Sequence, residues 1–105
     1  KSLKSVGVDL IDCSSGGSAP DATIPAGVGY QIPFSEQIKR EAEILTGGVG
    51  IIVSPEQAET IIRTNQADIV LLGREMLRNP YWALNAAKIL REDIEWPKQY
   101  VRAKY

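Results

Sequence analysis

The sequence lacks several residues on which common chemistries depend. Its 105 residues include no histidine and a single cysteine, Cys13. Without histidine, the chain has no copy of the commonest general base and metal ligand. One cysteine cannot close an internal disulfide and argues against a thiolate metal site. We therefore expect no metal, and the lone cysteine favours a reducing, cytoplasmic setting.

Long apolar runs and an excess of basic charge are also missing. No run approaches the roughly 18 apolar residues of a membrane helix. With 12 basic and 13 acidic residues, the net charge is −1, so nucleic acid and anionic membranes have nothing to attract them. We expect neither as a partner. The length fits one domain at most, and the start, Lys1-Ser2-Leu3-Lys4, resembles the interior of a longer chain.

Three short apolar runs, at residues 8–13, 49–53 and 67–72, predict buried strands bounded by turn residues. A loop rich in glycine, serine, proline and alanine, residues 14–29, follows the first of them. Because helical patterns separate the strands, the order predicts a parallel sheet covered by helices.

The sequence predicts helices most clearly where a polar residue that can cap a helix precedes apolar residues at helical spacing. One helix is predicted to begin near Ser35 and to end before Thr46. A second begins after Ser54, with Gln57 completing a capping box, and a third follows Asn79-Pro80. Residues 92–105 form a polar and aromatic tail without clear periodicity.

Ligands of parallel α/β folds bind at the carboxyl ends of strands, where Gly73 and Arg74 form the sharpest candidate site. The glycine lets a ligand approach the backbone, and the arginine offers a charged fork to a phosphate. The alternative is a tight turn in which Arg74 pairs with a carboxylate such as Glu75. Ser14 also follows a predicted strand, whereas residues 47–50 surround the predicted start of the second strand.

Other chemistries find less support in the sequence. Serine hydrolysis is excluded because Ser14 and Ser15 have no histidine base. Asp9 and Asp12 are predicted to point to opposite faces of a strand, so they cannot form an acid/base pair without a bulge. Cys13 is read as a small buried hydrophobe rather than a reactive thiol.

Several segments together resemble the Old Yellow Enzyme family of flavin-dependent ene-reductases. The matching segments are residues 8–17, 29–31, 46–50 and 67–88, and residues 99–102 resemble the end of the bacterial thermophilic-like subgroup of NADPH dehydrogenases. The resemblance implies an α/β fold, the last three βα units of a (β/α)8 TIM barrel. Residues 1–105 would then be the C-terminal segment of a single FMN-binding domain, with residues 92–105 as its tail.

The same resemblance implies function and site residues. The complete protein would use FMN, with NADPH or NADH as reductant, to reduce activated alkenes. Gly73, Arg74, Gly50 and Ser14 would bind the FMN phosphate, and Arg102 would enter the active site of a neighbouring subunit in a homo-oligomer, a dimer or tetramer.

The family's catalytic residues have no match here, since its histidine pair or histidine–asparagine pair is absent and its proton-donating tyrosine belongs to the N-terminal region. This chain would therefore need the remainder of the barrel as its partner. Two alternatives stay open: another FMN- or phosphate-binding barrel oxidoreductase, and a non-catalytic barrel fragment.

Overall fold

Helices and parallel strands alternate in the computed structural model, which describes residues 1–14, 27 and 29–104. The described strands form one sheet in the order β1-β2-β3, and both pairings are parallel. This confirms the predicted α/β pattern. In chain order the elements are α1 (Ser2–Ser5), β1 (Leu10–Cys13), α2 (Ile32–Ala42), β2 (Leu45–Val49), α3 (Pro55–Arg63), β3 (Ile69–Leu71), α4 (Arg74–Arg78), α5 (Trp82–Ile89) and a C-terminal 3₁₀ helix (Lys98–Ala103).

One face of the sheet packs against helices. Thr46 and Gly48 are buried on this face of β2, and Val70 of β3 lies opposite Gly48. The core is made of small and branched residues from the helices and from the residues beside the strands: Ile32, Ile52, Ala58, Ile61 and Ala67, with Val70, Leu72 and Trp82 packed against them.

The opposite face of the sheet is apolar but uncovered by the described residues. Leu45 is 52 % exposed and Ile69 is 43 % exposed, although both are large aliphatic side chains in strands. Strands of a parallel sheet are normally buried on both faces. The pattern fits a fragment of a TIM barrel, whose interior this face would line; closure of a barrel is not visible in 105 residues.

The predicted position of the second strand is wrong. The prediction was residues 49–53, but β2 is Leu45–Val49 and contains Gly47 and Gly48. Glycine is needed at position 48 because a Cβ on Gly48 would lie 2.8 Å from Cδ1 of Ile32 in α2. Strand propensity disfavours glycine, and this close helix–strand approach overrides it. As a result, Gly50 lies just beyond the carboxyl end of β2 and not near its start.

Helix starts follow the predicted caps in part. Ser54 Oγ accepts the Gln57 N–H at 3.1 Å at the start of α3, although the Gln57 side chain bonds the N–H of Val53 and not that of Ser54. Asn79 Oδ1 accepts the Tyr81 N–H at 3.1 Å just before α5. Helix α2 begins at Ile32, three residues before the predicted start, because Pro33 is accommodated in its first turn.

The short helix α4 and the 3₁₀ helix in the tail were not predicted, since neither is long enough to show an apolar period. Within the part of the chain that the structure describes, no helix has the length and apolar character needed to cross a membrane.

Candidate functional site

Three of the predicted site segments meet at one edge of the sheet. The parallel register places Cys13 beside Gly48 and Val49 beside Leu71, so the strands end at a common level. Ser14 and Gly50 directly follow β1 and β2, and Gly73 and Arg74 follow β3 after Leu72; we call these four residues the carboxyl edge. Arg102 is exposed in the C-terminal 3₁₀ helix, which adds no strand to this edge.

Gly73 presents an open side at the carboxyl edge. It is exposed and precedes α4 with a negative φ of −96°, so a left-handed backbone does not explain the glycine. A Cβ placed on it would meet nothing within 4 Å, so packing among the described residues does not explain it either. The open side leaves room for a ligand to approach the backbone closely.

Arg74 begins α4, and its side chain is available to a ligand. The predicted alternative, a pair between Arg74 and Glu75, is wrong because Glu75 accepts a hydrogen bond from Nε of Arg78 at 3.0 Å. Among the described residues, no carboxylate pairs with Arg74. Its planar guanidinium can therefore offer a bidentate, charge-assisted contact to an anion.

Gly50 has a backbone that favours glycine, with φ of +133°. A Cβ on Gly50 would lie 3.0 Å from Cδ1 of Tyr30 and 3.2 Å from the backbone nitrogen of Gln31. The next residue, Ile51, also has a positive φ, +51°, which is rare for a β-branched residue. The chain thus makes an unusual turn directly at the end of β2, with the Tyr30 ring packed against it.

Ser14 and Cys13 differ in their access to solvent. Ser14 is exposed after β1, whereas the glycines and the second serine of the predicted loop, residues 15–17, lie outside the described residues. Cys13 is 4 % exposed. Burial raises the pKa of its thiol, and the charge of Asp12 adds to that rise. This confirms Cys13 as a small core residue rather than a reactive thiolate.

The described groups at the carboxyl edge suit an anion such as a phosphate. Among the described residues, a guanidinium without a carboxylate partner lies next to a glycine whose Cβ position meets no atom within 4 Å, as close approach of a phosphate to the backbone requires. No acceptor within the described residues takes the N–H groups of Arg74 and Glu75 at the start of α4. Over the same residues, no group of three or more His, Cys, Asp or Glu side chains could hold a metal.

Sequence reasoning missed two residues at this edge, Tyr30 and Ile51. The Tyr30 contact joins positions 20 residues apart and leaves no local pattern. Ile51 was read as part of an apolar strand, because its left-handed backbone is set by neighbours that the sequence does not reveal.

Comparison with known proteins identifies the family to which the chain is similar. The family model described as NADH:flavin oxidoreductase / NADH oxidase matches residues 1–93. A protein named NADPH dehydrogenase from Geobacillus thermodenitrificans is 55 % identical over 102 residues, which cover 97 % of this chain and 30 % of that protein. NADPH dehydrogenases from Listeria monocytogenes and Halalkalibacterium halodurans are each 52 % identical over 103 residues, again 98 % of this chain and 30 % of theirs. The chain thus spans about 30 % of the length of these relatives.

Proposed function

This chain belongs to the NADH:flavin oxidoreductase / NADH oxidase family, and we propose that it forms the C-terminal part of an FMN-dependent NAD(P)H oxidoreductase that reduces activated alkenes. The family description and the names of the relatives support flavin and NADPH as the redox pair. FMN, when bound, supplies the hydride-transfer chemistry, and the protein binds and orients it. The contribution of this chain is to anchor the phosphate end.

The observation that carries the proposal comes from residues 1–14, 27 and 29–104: within them, Gly73 has an open side and Arg74, next to it, has no carboxylate partner. Phosphate sites near the last strands are common in barrel enzymes. Arg74 would donate two parallel hydrogen bonds to phosphate oxygens, and the open side of Gly73 would let those oxygens reach the backbone N–H groups that follow. Gly50 and Ser14, at the ends of the neighbouring strands, would complete the cradle.

The remaining chemistry belongs to other parts of the assembly. In the family that the chain resembles, a histidine pair or histidine–asparagine pair holds the substrate; since the chain has no histidine, that pair would come from the remainder of the barrel. Arg102, exposed in the tail, would reach the active site of a second subunit in a dimer or tetramer.

Removal of the Arg74 charge in the complete protein tests the phosphate site. We expect Arg74→Ala to raise the Kd for FMN by about 10- to 150-fold, since a hydrogen bond to a charged group contributes about 1.5–3 kcal/mol. Riboflavin, which lacks the phosphate, should bind wild type and variant alike. Quenching of flavin fluorescence measures both affinities.

Arg78→Ala is the matched control. Arg78 lies on the same short helix and is 61 % exposed, but it is paired with Glu75, so its loss should leave FMN binding unchanged. An unchanged FMN Kd in Arg74→Ala would refute the site.

A separate assay tests the substrate class. The complete, FMN-loaded protein should oxidise NADPH faster when an α,β-unsaturated ketone such as 2-cyclohexen-1-one is added, and the saturated ketone should accumulate. A parallel assay with NADH identifies the preferred reductant. NADPH oxidation that is insensitive to the enone would remove the alkene from the proposal while leaving the phosphate site intact.

A further inference from the structure

We propose that Tyr30 is a positioning residue for the FMN phosphate: its ring holds the backbone turn at Gly50 and Ile51 in the shape that binds the anion. This inference rests on the proposed function, because it concerns the same phosphate site. It assigns a role to a residue that lies 20 positions before Gly50 and is not itself at a strand end.

The segment 29–31 attaches to the carboxyl end of β2 through three separate contacts. The Gly29 N–H donates to the Gly50 carbonyl at 2.7 Å. The Tyr30 ring lies where a Gly50 side chain would be, with Cδ1 and Cε1 at 3.0 and 3.1 Å from the ideal Cβ position. Gln31 is buried, and its Nε2 donates to the Val49 carbonyl at 3.4 Å. The two hydrogen bonds fix the carbonyls, and the ring covers the α-carbon between them.

The turn that these contacts hold is strained. Gly50 and Ile51 have successive positive φ angles of +133° and +51°, and the left-handed region is sterically costly for an isoleucine. Such backbone persists only where the surroundings enforce it. The Ile51 side chain is 43 % exposed, so its own packing does little to hold it.

The restraint on the turn must therefore come from the residues that follow Ile51 in the chain (the far side) and from those that precede it (the near side). On the far side, Ile52 is 3 % exposed in the core, and the Val53 carbonyl accepts a hydrogen bond from Nε1 of Trp82 at 2.8 Å. On the near side, the segment 29–31 restrains Gly50 through the hydrogen bond from the Gly29 N–H and through the Tyr30 ring. If the ring is lost, the near side can relax.

The turn carries donors that an anion can use. Neither the Ile51 N–H nor the Ile52 N–H donates a hydrogen bond to any described residue. Successive N–H groups in a turn with left-handed residues form concave anion sites. The direction of these N–H groups follows from the φ angles of Gly50 and Ile51, which the Tyr30 ring helps to maintain.

The ring, and not the hydroxyl, carries the role. The Tyr30 hydroxyl makes no hydrogen bond to the described residues, whereas the ring carbons meet Gly50 directly. Tyr30→Phe should therefore keep the function, and Tyr30→Ala should lose it.

The test measures binding of FMN and of riboflavin to the complete apoprotein by flavin fluorescence. We expect Tyr30→Ala to raise the FMN Kd about tenfold, the loss expected when one charge-assisted phosphate contact is weakened. Riboflavin affinity should stay within about twofold, and Tyr30→Phe should match wild type for both ligands. If Tyr30→Ala does not fold, Tyr30→Leu removes the ring while keeping apolar volume, and the same ratio is measured.

The outcomes separate this inference from the proposed function. An unchanged FMN Kd in the alanine and leucine variants, or equal losses for FMN and riboflavin, would overturn the role of Tyr30 and leave the phosphate site standing. Equal binding of FMN and riboflavin by wild type would overturn the phosphate site itself, and the Tyr30 role with it.

Discussion

Alanine at Gly73 and alanine at Gly48 should have opposite effects, because the two glycines exist for different reasons. At Gly48, a Cβ would lie 2.8 Å from Ile32 Cδ1 and 3.2 Å from Ala67 Cβ, and both neighbours belong to the core. Overpacking of this kind costs about 1–3 kcal/mol in the free energy of unfolding. At Gly73, the same methyl group meets no described atom within 4 Å, so the free energy of unfolding should fall by no more than about 1 kcal/mol, the cost of alanine in place of glycine at the N-cap of α4.

Binding of FMN should show the reverse pattern. The methyl group of Gly73→Ala fills the space that the phosphate would use and weakens at least one charge-assisted hydrogen bond, worth about 1.5–3 kcal/mol. That loss corresponds to an FMN Kd raised about 10- to 150-fold. Gly48→Ala lies beneath the sheet on the helix side, so the folded fraction should bind FMN like wild type.

Two measurements on the complete apoprotein decide the matter. Urea unfolding gives the free energy of unfolding, and flavin fluorescence gives the FMN and riboflavin Kd. Wild-type FMN affinity in Gly73→Ala would refute the phosphate site at this glycine. Unfolding of Gly48→Ala at the same urea concentration as wild type would refute the close packing of Gly48 against Ile32.

Three further variants test other contacts. Asp68 accepts hydrogen bonds from Lys39 and from the Thr46 N–H, which hold the pKa of its carboxyl below the ordinary 3.8. A lowered pKa stabilises the fold above that value and loses the effect as pH falls below it, so urea unfolding of Asp68→Asn should show a deficit of about 1 kcal/mol at pH 7 and a smaller one at pH 3; equal deficits would contradict this. Thr46 is fully buried with no hydrogen-bond partner for Oγ1 among the described residues, so Thr46→Val should raise the free energy of unfolding by up to about 1 kcal/mol, and a decrease would argue against it. Arg102→Ala should leave unfolding unchanged but lower enone turnover, with activity partly restored in mixed oligomers that contain a subunit inactive at its own flavin; full activity in the pure variant would exclude the role in trans.

Local signals in the sequence predicted most of the element order. Ser54 and Pro55 place the start of α3 because capping depends on residues next to each other in the chain. The prediction of the second strand was wrong because Leu45–Val49 contains two glycines, and the reason for Gly48 is the Ile32 side chain 16 residues earlier. The more apolar residues that follow β2 do not form a strand: Gly50 and Ile51 make a strained turn, and Ile52 is buried in the core.

The residues of the candidate site also divide into those with a local sequence signal and those defined by long-range contacts. Gly73 and Arg74 could be proposed from the sequence because a glycine and an arginine at a strand end are adjacent in sequence, and their role stays a prediction. The contact between Tyr30 and Gly50 could not be predicted, since it depends on the way in which helix α2 packs against β2. The correct placement of β2 also changes the meaning of Gly50, which the sequence placed near a strand start and the structure places at the end where ligands bind.

The bare face of the sheet and the carboxyl edge impose two requirements that the described residues do not meet alone. Leu45 and Ile69 leave an aliphatic surface on strands that should be buried on both faces. The carboxyl edge offers an arginine and backbone groups, which suit a phosphate but provide nothing for a flavin ring or a substrate. Further strands continuing this sheet into a closed barrel would bury the first surface and bring more strand ends to the second. We infer that the other strands of such a barrel would both cover the aliphatic face and complete the ligand site. The three described strands would then form the phosphate-binding part of that barrel.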